Sequence, residues 1–248
     1  MRSVVLATCQ GEKFIGEQLD SILPQLAPED EVVISDDAST DATLEIVAGL
    51  RDPRIRVIAN RSRAGYVGNF QRAVEASRGE SVYFSDQDDV WLPNKVAVMD
   101  AALRSSPLVA SDATVVDENL QTLKLSYFAS RGISSFSPGR IFLKPRIIGA
   151  TLACRRQYLE SLLPVPAGIP HDFWLSLNAA LDHSLAVVDT PLILYRRHAA
   201  TASPTATGNK RPLAVMLMER CRLLIALCRR RLFARRTDAS PGRHFPGI

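Results

Sequence analysis

The sequence has no long apolar run. Its two longest uninterrupted apolar stretches, residues 212–218 and 223–228, have seven and six residues. A helix that crosses a bilayer needs about 20 consecutive apolar residues. We therefore expect that no segment of this chain spans a membrane.

Cysteines are few and show no site-like spacing. The 248 residues include four cysteines, at positions 9, 154, 221 and 228, and no Cys-x-x-Cys pair. Their spacing indicates neither a disulfide framework nor a zinc site. The first residues also lack a basic segment followed by an apolar core, which is the pattern of a secretory signal. These features predict a reduced cytoplasmic location, in solution or on the inner face of the cytoplasmic membrane.

Charge is unevenly distributed along the chain. The formal net charge is +4, but from Lys210 onward there are ten Lys and Arg against two Asp and Glu. The tail thus carries +8 and the preceding body −4. A negatively charged body is not expected to bind nucleic acid, whereas a basic tail can attract an anionic membrane surface.

The composition is that of a folded protein, with 46% hydrophobic and 23% charged residues. Over the first hundred residues, β-branched apolar segments alternate with segments of helical periodicity, which predicts a parallel sheet with right-handed crossovers. After residue 107 we expect strands at 109–116, 120–125, 147–154 and 185–195, and helices at 156–163 and 173–181. The simplest partition is an α/β domain over residues 1–209 and an appended segment over 210–248.

Carboxylates follow three of the predicted strands, within residues 8–12, 35–41 and 85–89. The carboxyl ends of parallel strands build a ligand crevice, so these groups should crowd together and repel one another. A divalent cation would relieve that repulsion, and oxygen ligands favour Mg²⁺ or Mn²⁺ over zinc. Helix capping is the alternative for residues 36–41, and a solvated acidic turn is the alternative for 86–89.

Five ordered motifs resemble a known family. They are Ala-Thr-x-x-Gly-Glu-x-Phe-Ile-x-x-Gln-Leu-x-Ser-Ile-Leu at residues 7–23, Ser-Asp-Asp-x-Ser-Thr-Asp at 35–41, Phe-Ser-Asp-Gln-Asp-Asp-Val-Trp-Leu-Pro-x-Lys at 84–95, His-Asp-Phe-Trp at 171–174 and Tyr-Arg-Arg-His at 195–198. This set is similar to the family 2 glycosyltransferases of GT-A fold, in particular the rhamnosyltransferase-like branch. The resemblance covers roughly residues 3–198. It implies a Rossmann-like, mostly parallel sheet flanked by helices.

The resemblance also implies roles for individual residues. Such enzymes transfer a sugar, with inversion, from a nucleoside diphosphate to an acceptor hydroxyl, and Asp172 matches the position of their general base. Capping of the following helix is the alternative role for Asp172. The implied metal ligands are Asp88, Asp86 and His198. The implied contacts of the nucleotide sugar are Thr8, Cys9, Glu12, Asp37, Asn69, Asp86 and Arg196.

The implied substrates are dTDP-rhamnose or a UDP-sugar as donor and a saccharide or lipid-linked acceptor in surface polysaccharide synthesis. One departure is Cys9-Gln10, where many relatives carry Tyr-Asn, because a cysteine is too small to stack on the donor base. A non-catalytic, membrane-associated nucleotide-sugar-binding protein is therefore an alternative. A nucleotidyltransferase is a third, although residues 8–13 lack the glycine-rich basic loop expected of one.

The basic tail predicts an amphipathic helix over residues 211–236. At 100° per residue its apolar face holds Leu213, Leu217, Cys221, Leu224, Ile225, Cys228 and Leu232, and Glu219, Arg222, Arg229 and Arg230 lie largely opposite. The hypothesis is that this helix lies in the headgroup layer of an anionic membrane and brings the site to a lipid-linked acceptor. Packing of the apolar face on the body, or on a second copy, is the alternative.

Overall fold

The computed structural model describes residues 1–198 and 213–238, with side chains described for 1–198 and 218–231. The predicted domain boundary at residue 209 lies outside the described residues. Within them, no helix is long and apolar enough to cross a membrane.

One mixed sheet runs through the described residues. Its strands are β1 (Arg2–Thr8), β2 (Glu31–Asp36), β3 (Ile55–Ala59), β4 (Ser81–Asp86), β5 (Val90–Trp91), β6 (Leu108–Val116), β7 (Thr122–Lys124), β8 (Leu152–Arg155) and β9 (Leu185–Arg196). The strand order is β3-β2-β1-β4-β8-β6-β9-β5, and β7 pairs with β6. Strands β3, β2, β1 and β4 are mutually parallel, as are β6 and β9, whereas β8, β5 and β7 run antiparallel to their neighbours. The predicted mostly parallel α/β sheet is confirmed.

Helices cover both faces of this sheet. They are α1 (Ile15–Ile22), α2 (Thr43–Gly49), α3 (Gly65–Ala76), α4 (Lys95–Leu103), α5 (Tyr127–Ser130), α6 (Pro138–Leu143), α7 (Arg156–Glu160), α8 (His171–Leu181) and α9 (Leu213–Asp238). Alternate side chains of β1 enter opposite cores because successive residues of a strand point to opposite faces. Val5 packs in the core that includes α3 and α8, and Leu6 packs in the core that includes α1 and α4.

The prediction of a continuous strand over residues 147–154 is wrong in its first half. Residues Gly149–Thr151 form a 3₁₀ turn, and β8 begins only at Leu152. Both the backbone N–H and the hydroxyl of Thr151 donate to the carbonyl of Ile148, at 3.0 and 2.7 Å. This local bonding replaces ladder bonds, because a threonine hydroxyl can satisfy a nearby carbonyl itself.

The predicted apolar face of the C-terminal helix is not the face that packs on the body. Helix α9 buries Leu223 and Leu227 against the body, while the predicted face members Leu224 and Ile225 are 49% and 54% exposed. Cys221 and Cys228 of that face are exposed too, and Leu213, Leu217 and Leu232 lie outside the described side chains.

Polar contacts with α8 fix the rotation of α9. Arg230, expected on the face opposite the apolar one, donates to Asn178 at 3.0 Å and forms an ion pair with Asp182 at 2.8 Å. The guanidinium of Arg220 lies 4.7 Å from the centre of the Phe173 ring. These contacts turn Leu223 and Leu227 toward the body. The periodicity of α9 by itself does not include its contact partners, so it could not predict this rotation.

Candidate functional site

Three neighbouring strands end at the same edge of the sheet. In the register of the parallel strands, Thr8 lies opposite Asp36 on β2, and Ala7 lies opposite Asp86 on β4. The polar segments that follow β1, β2 and β4 are thereby brought together. This edge is where ligands bind in open α/β sheets.

Gln87 fastens the end of β4 to the end of β1. Its Oε1 accepts hydrogen bonds from the Thr8 hydroxyl (2.6 Å) and the Cys9 N–H (2.7 Å), and its Nε2 donates to the Cys9 carbonyl (3.1 Å). Gly11 must be small here, because an added Cβ would lie 2.6 Å from Gln87 Oε1. The sequence analysis did not single out Gln87. Its only distinguishing feature in the sequence is an amide side chain between the carboxylates of Asp86 and Asp88.

Cys9 lies beside the hydrogen bonds of Gln87 and is partly buried. Its thiol is 3.5 Å from the carbonyl oxygen of Asp37, and burial raises the pKa of the thiol. The side chain is therefore a neutral contact at the end of β1. A role of Cys9 in binding the nucleotide stays a prediction.

Asp37 uses both carboxylate oxygens to hold the loop before α3. They accept the backbone N–H groups of Ala64 (2.5 Å) and Gly65 (3.0 Å), and Asp37 is buried. The carboxylate thus fixes the rim of the crevice at the start of α3. Contact of Asp37 with a donor base or ribose stays a prediction.

Asn69 and Glu12 also hold backbone in place. Asn69 is buried on α3 and donates from Nδ2 to the Thr8 carbonyl at 3.1 Å. Glu12 is exposed, and its carboxylate accepts the N–H of Ala42 (3.0 Å) at the start of α2. Both residues border the crevice, and their contact with a nucleotide sugar is a prediction.

An acidic cluster lies at this edge of the sheet. Burial, and then the charges of Asp88 and Asp172, raise the pKa of Asp86 well above its usual range. Burial, Asp88 and Asp86 likewise raise the pKa of Asp89. Oδ1 of Asp89 accepts a backbone N–H at 3.0 Å, while Oδ2 is buried without a hydrogen-bond partner among the described residues. Carboxylates crowded in this way repel one another unless a cation joins them.

A fully buried lysine lies beneath these acids. Lys95 donates from Nζ to the Ala150 carbonyl at 2.7 Å and lies 4.1 Å from the centre of the Trp91 ring. Burial lowers the pKa of Lys95 to about 7, against the opposing effect of Asp89 and Asp86. Lys95 therefore offers partial compensation for the negative charge above it, a role that the motif at residues 84–95 did not reveal.

His198 meets Asp88 at the mouth of the cluster. Its Nε2 lies 2.7 Å from Asp88 Oδ2, and its ring packs 4.8 Å from the ring of Phe14. Asp88 and His198 come from distant parts of the sequence, and strand β9 brings them together. The structure thus places two of the three predicted metal ligands in direct contact.

Arg196 supports the loop that carries these acids. It is buried, and its guanidinium donates to the carbonyl oxygens of Asp88 (2.8 Å) and Glu118 (2.5 Å) and to the carboxylate of Glu17. Its backbone N–H is the donor to Asp89 Oδ1. Arg196 is therefore engaged by the protein on several sides, and its predicted contact with the nucleotide sugar is not tested by these bonds.

Asp172 lies in the first turn of α8, beside the cluster. Burial raises the pKa of its carboxyl to about 6, and a hydrogen bond from the Phe173 N–H (2.8 Å) opposes that rise. The charge of Asp172 acts on Asp86. A carboxyl with a pKa near neutral pH in a crevice is suited to accept a proton.

His171 is buried next to Asp172. Neither ring nitrogen has a hydrogen-bond partner among the described residues, and the ring stacks 5.3 Å from Phe84 and lies 4.3 Å from Phe70. Burial lowers the pKa of His171 to about 4, so the ring is neutral at pH 7. An added Cβ on Gly149 would lie 2.7 Å from its Nε2.

No group of three or more His, Cys, Asp and Glu side chains stands ready to hold a metal within the described ranges. Magnesium and related ions, however, take only one or two carboxylates from the protein when a substrate supplies phosphate oxygens. Asp88 and His198, with Asp86 nearby, offer oxygen and nitrogen donors at one point. This donor set fits a divalent cation that is completed by a diphosphate.

Curated relatives resemble the chain over most of its length. It is 21% identical over 212 residues to the Escherichia coli UDP-Glc:alpha-D-GlcNAc-diphosphoundecaprenol beta-1,3-glucosyltransferase WfgD, covering 84% of this chain and 81% of that protein. It is 28% identical over 213 residues to the Shigella flexneri dTDP-rhamnosyl transferase RfbG, covering 78% and 71%. It spans only 53% and 59% of the length of two other relatives.

A solved structure has a similar fold. The Pyrobaculum calidifontis mannosyltransferase PcManGT, solved with GDP-Man and Mn²⁺, gives a TM-score of 0.62 at 16% identity, covering 97% of this chain and 76% of that one. The family model described as Glycosyl transferase family 2 matches residues 3–163, which include the acids of β2 and β4 but not Asp172 or His198. Because that match covers well over half of the chain, the protein belongs to glycosyl transferase family 2.

Proposed function

We propose that this protein is a metal-dependent, inverting glycosyltransferase. It would transfer a sugar from a nucleoside diphosphate to a hydroxyl of a saccharide or lipid-linked acceptor in surface polysaccharide synthesis. The observation that carries the proposal is the 2.7 Å contact of Asp88 with His198, at the edge of the sheet where the charges of Asp88 and Asp172 both raise the pKa of Asp86. Family membership supports the reaction class.

Asp88 and His198, with Asp86, would hold the cation, which would be Mg²⁺ or Mn²⁺. The donor atoms of Asp88 and His198 lie 2.7 Å apart, and the solved structure of PcManGT contains GDP-Man and Mn²⁺. When bound, the cation would neutralise charge on the departing diphosphate. Arg196 would keep the Asp88 loop in the position that this requires, through its hydrogen bond to the Asp88 carbonyl.

Asp172 would act as general base. The acceptor oxygen attacks the anomeric carbon, its proton passes to the Asp172 carboxylate, and the bond from that carbon to the diphosphate oxygen breaks with its electron pair on the diphosphate. Attack from the face opposite the leaving group inverts the anomeric centre. With a pKa of about 6, Asp172 is ionised at neutral pH and basic enough to take the proton.

The donor would carry L-rhamnose or a related deoxyhexose on dTDP, with a UDP-sugar as the second candidate. RfbG supports the first and WfgD supports the second. Cys9 cannot cover the donor base as an aromatic ring would. We therefore expect weaker donor binding than in relatives with tyrosine at that position.

A donor screen with product analysis tests this function. With Mn²⁺, the correct donor at 100 times its Kd should stabilise the folded protein by about 2.7 kcal/mol, which is a Tm rise of about 6 °C. Asp88→Asn should lose this metal-dependent rise, and Asp20→Asn, an exposed residue on α1, should keep it. Transferred sugar supports the proposal. Released pyrophosphate would indicate a nucleotidyltransferase instead. Donor binding without turnover would indicate the non-catalytic binding protein.

We further infer peripheral membrane association through α9. Its outer side exposes Leu224 and Ile225 between Arg222 and Arg229, which suits an anionic lipid surface. Replacing both apolar residues with glutamate should abolish cosedimentation with anionic vesicles, while Val57→Glu on the distant strand β3 should not. Binding that is equal for neutral vesicles, or unchanged in the double variant, would contradict this inference.

A further inference from the structure

The exposed leucines of this protein are concentrated in two places. Among the side chains that the structure describes, only four leucines are exposed, namely Leu123 (51%), Leu125 (79%), Leu143 (74%) and Leu224 (49%). The first three belong to residues 119–146, which we call the basic segment, and the fourth belongs to α9. A single exposed apolar side chain is normal on a protein surface, whereas a group of them marks a surface that contacts a partner.

The basic segment carries charge of one sign. It contains five Lys and Arg and no Asp or Glu, although the chain before Lys210 has a net charge of −4. Lys124, Arg140 and Lys144 are exposed. The described part of α9 is similar, with five Arg and one Glu over residues 218–231. Leucines among positive charges suit an anionic lipid surface, which takes up the apolar groups and attracts the cations.

Helix α6 holds Leu143 in its exposed position. Ile141 on the same helix is fully buried, and Phe142 packs against the core that includes α3 and α8. At 3.6 residues per turn, Leu143 lies roughly 200° around the helix from Ile141. Leu143 is therefore on the outer side of a helix whose inner side is fixed to the body.

Arg220 connects this part of the basic segment with α9. Its guanidinium donates to the Leu143 carbonyl at 3.3 Å and lies 5.9 Å from the centre of the Phe142 ring. Leu224 follows Arg220 by four residues, so the two side chains are neighbours on the surface of α9. Leu143 and Leu224 thus lie on either side of Arg220. Two exposed apolar groups from different helices belong to one continuous surface.

This surface lies next to the candidate site. The guanidinium of Arg220 is also 4.7 Å from the centre of the Phe173 ring, and Phe173 directly follows Asp172 in the first turn of α8. If α9 alone touched a membrane, the body could still turn about the axis of that helix. A second contact at Leu143 would stop this rotation and fix the orientation of the crevice relative to the lipid.

We propose that the basic segment, with Leu143 as the inserted side chain, forms a second membrane contact beside α9, and that both contacts bind one anionic lipid surface. This inference rests on the membrane association proposed for α9 and adds the contact that orients the body. The charge of the segment argues for lipid as the occupant. Acidic headgroups offer compensating charge, whereas a second copy of this chain would bring the same positive charges to the interface.

Tryptophan fluorescence tests the position of Leu143. The full-length variant Leu143→Trp is mixed with vesicles of phosphatidylglycerol and phosphatidylcholine that contain brominated acyl chains, which quench a tryptophan that enters them. Trp91 and Trp174 are 2% and 3% exposed, so the unaltered protein supplies their background emission. The emission of Leu143→Trp should shift to shorter wavelength and be quenched. Val57→Trp, at an exposed position on β3, should bind the same vesicles without either change.

Vesicle cosedimentation tests the charges. The double variant Arg140→Gln, Lys144→Gln should bind these vesicles about 25-fold more weakly, because each basic group near an anionic surface contributes about fivefold to binding. The control Arg78→Gln, Arg104→Gln removes the same charge at exposed positions just before β4 and directly after α4. Its vesicle binding should change less than about twofold. Transfer of sugar to a soluble saccharide should be the same in both double variants.

The possible results separate this proposal from the proposed enzymatic function. Vesicle binding without a shift or quenching in Leu143→Trp would overturn the second contact and leave α9 as the membrane contact, as would unchanged binding of Arg140→Gln, Lys144→Gln. A shifted emission before lipid is added, in a protein that sediments as a dimer, would assign the surface to a second copy. Failure of the unaltered protein to bind anionic vesicles would overturn both contacts. Vesicle binding as expected, with no sugar transfer, would remove the enzymatic function alone.

Discussion

Asp172→Asn should make the protein more stable and less active. Burial raises the pKa of the Asp172 carboxyl from 3.8 to about 6 in the folded state. At about 1.4 kcal/mol for each pH unit, the ionised carboxylate destabilises the fold by about 3 kcal/mol above pH 6. Asparagine removes that charge and keeps an oxygen to accept the Phe173 N–H.

The sign of the pH dependence follows from the raised pKa. The stabilising contribution of Asp172 is fully present below pH 3.8, where the carboxyl is protonated in both states, and is lost as the pH rises through about 6. The Tm advantage of Asp172→Asn should therefore be about 8 °C at pH 8 and shrink as the pH falls toward 4. Transfer activity of the unaltered enzyme should rise through pH 6, and the variant should lose about 10²-fold or more in kcat.

Differential scanning calorimetry from pH 4 to pH 8 measures the stability change, and sugar transfer with the best donor measures kcat. Asp20→Asn, at an exposed position of α1, controls for the loss of one carboxylate. A Tm at pH 8 equal to or below that of the unaltered protein would refute the burial argument. Full activity in Asp172→Asn would refute its assignment as base.

Three further substitutions test the surroundings of the site. Because the pKa of His171 is lowered to about 4, its contribution to stability is present above pH 6.5 and is lost as the pH falls toward 4. Between pH 7 and pH 5 the free energy of unfolding, from urea titrations, should therefore fall by about 2 kcal/mol more in the unaltered protein than in His171→Leu. Parallel pH curves of the two proteins would contradict this. Gly149→Ala should destabilise the fold by about 1–3 kcal/mol, because the added Cβ would meet the His171 ring. Gly139→Ala, with open space around it, should not destabilise the fold. Equal Tm values for the two variants would contradict the clash and show that the ring can move aside. Gln87→Ala should lower the free energy of unfolding by about 1–3 kcal/mol, because it leaves the buried polar groups at the end of β1 without partners. It should also weaken donor binding, measured by calorimetry. An unchanged Kd would contradict a role of the Gln87 hydrogen bonds in the site.

The sequence predicted the sheet well because its strands are recognisable locally. Residues 4–7 and 82–84 are continuous apolar runs, as expected for parallel strands buried on both faces. The strand predicted over 147–154 failed because Thr151 bonds to the Ile148 carbonyl and forms a turn. The apolar pattern of residues 147–154 indicates that they are buried. Both the turn and the strand are buried, so this pattern does not distinguish them.

The candidate site was predictable in its acids and less so in its supports. The family resemblance implied that Asp86, Asp88, Asp172 and His198 share one site, and the structure brings Asp88 and His198 into contact. The supporting bonds of Gln87 depend on atoms across 78 and 79 residues of sequence, which local patterns do not contain. The rotation of α9 was missed for the same reason, since the partners of Arg230 are Asn178 on α8 and Asp182 directly after it.

The bonds of Arg196 have a consequence for how the enzyme becomes competent during synthesis. This residue closes β9 and reaches back over 108 residues to the Asp88 carbonyl, so the acidic loop gains its support only after nearly the whole described domain has been made. A nascent or truncated chain ending before residue 196 could assemble β1 to β4 yet would lack both Arg196 and His198. Such a chain would leave the Asp88 carbonyl without the guanidinium that holds it and the Asp88 carboxylate without its histidine neighbour.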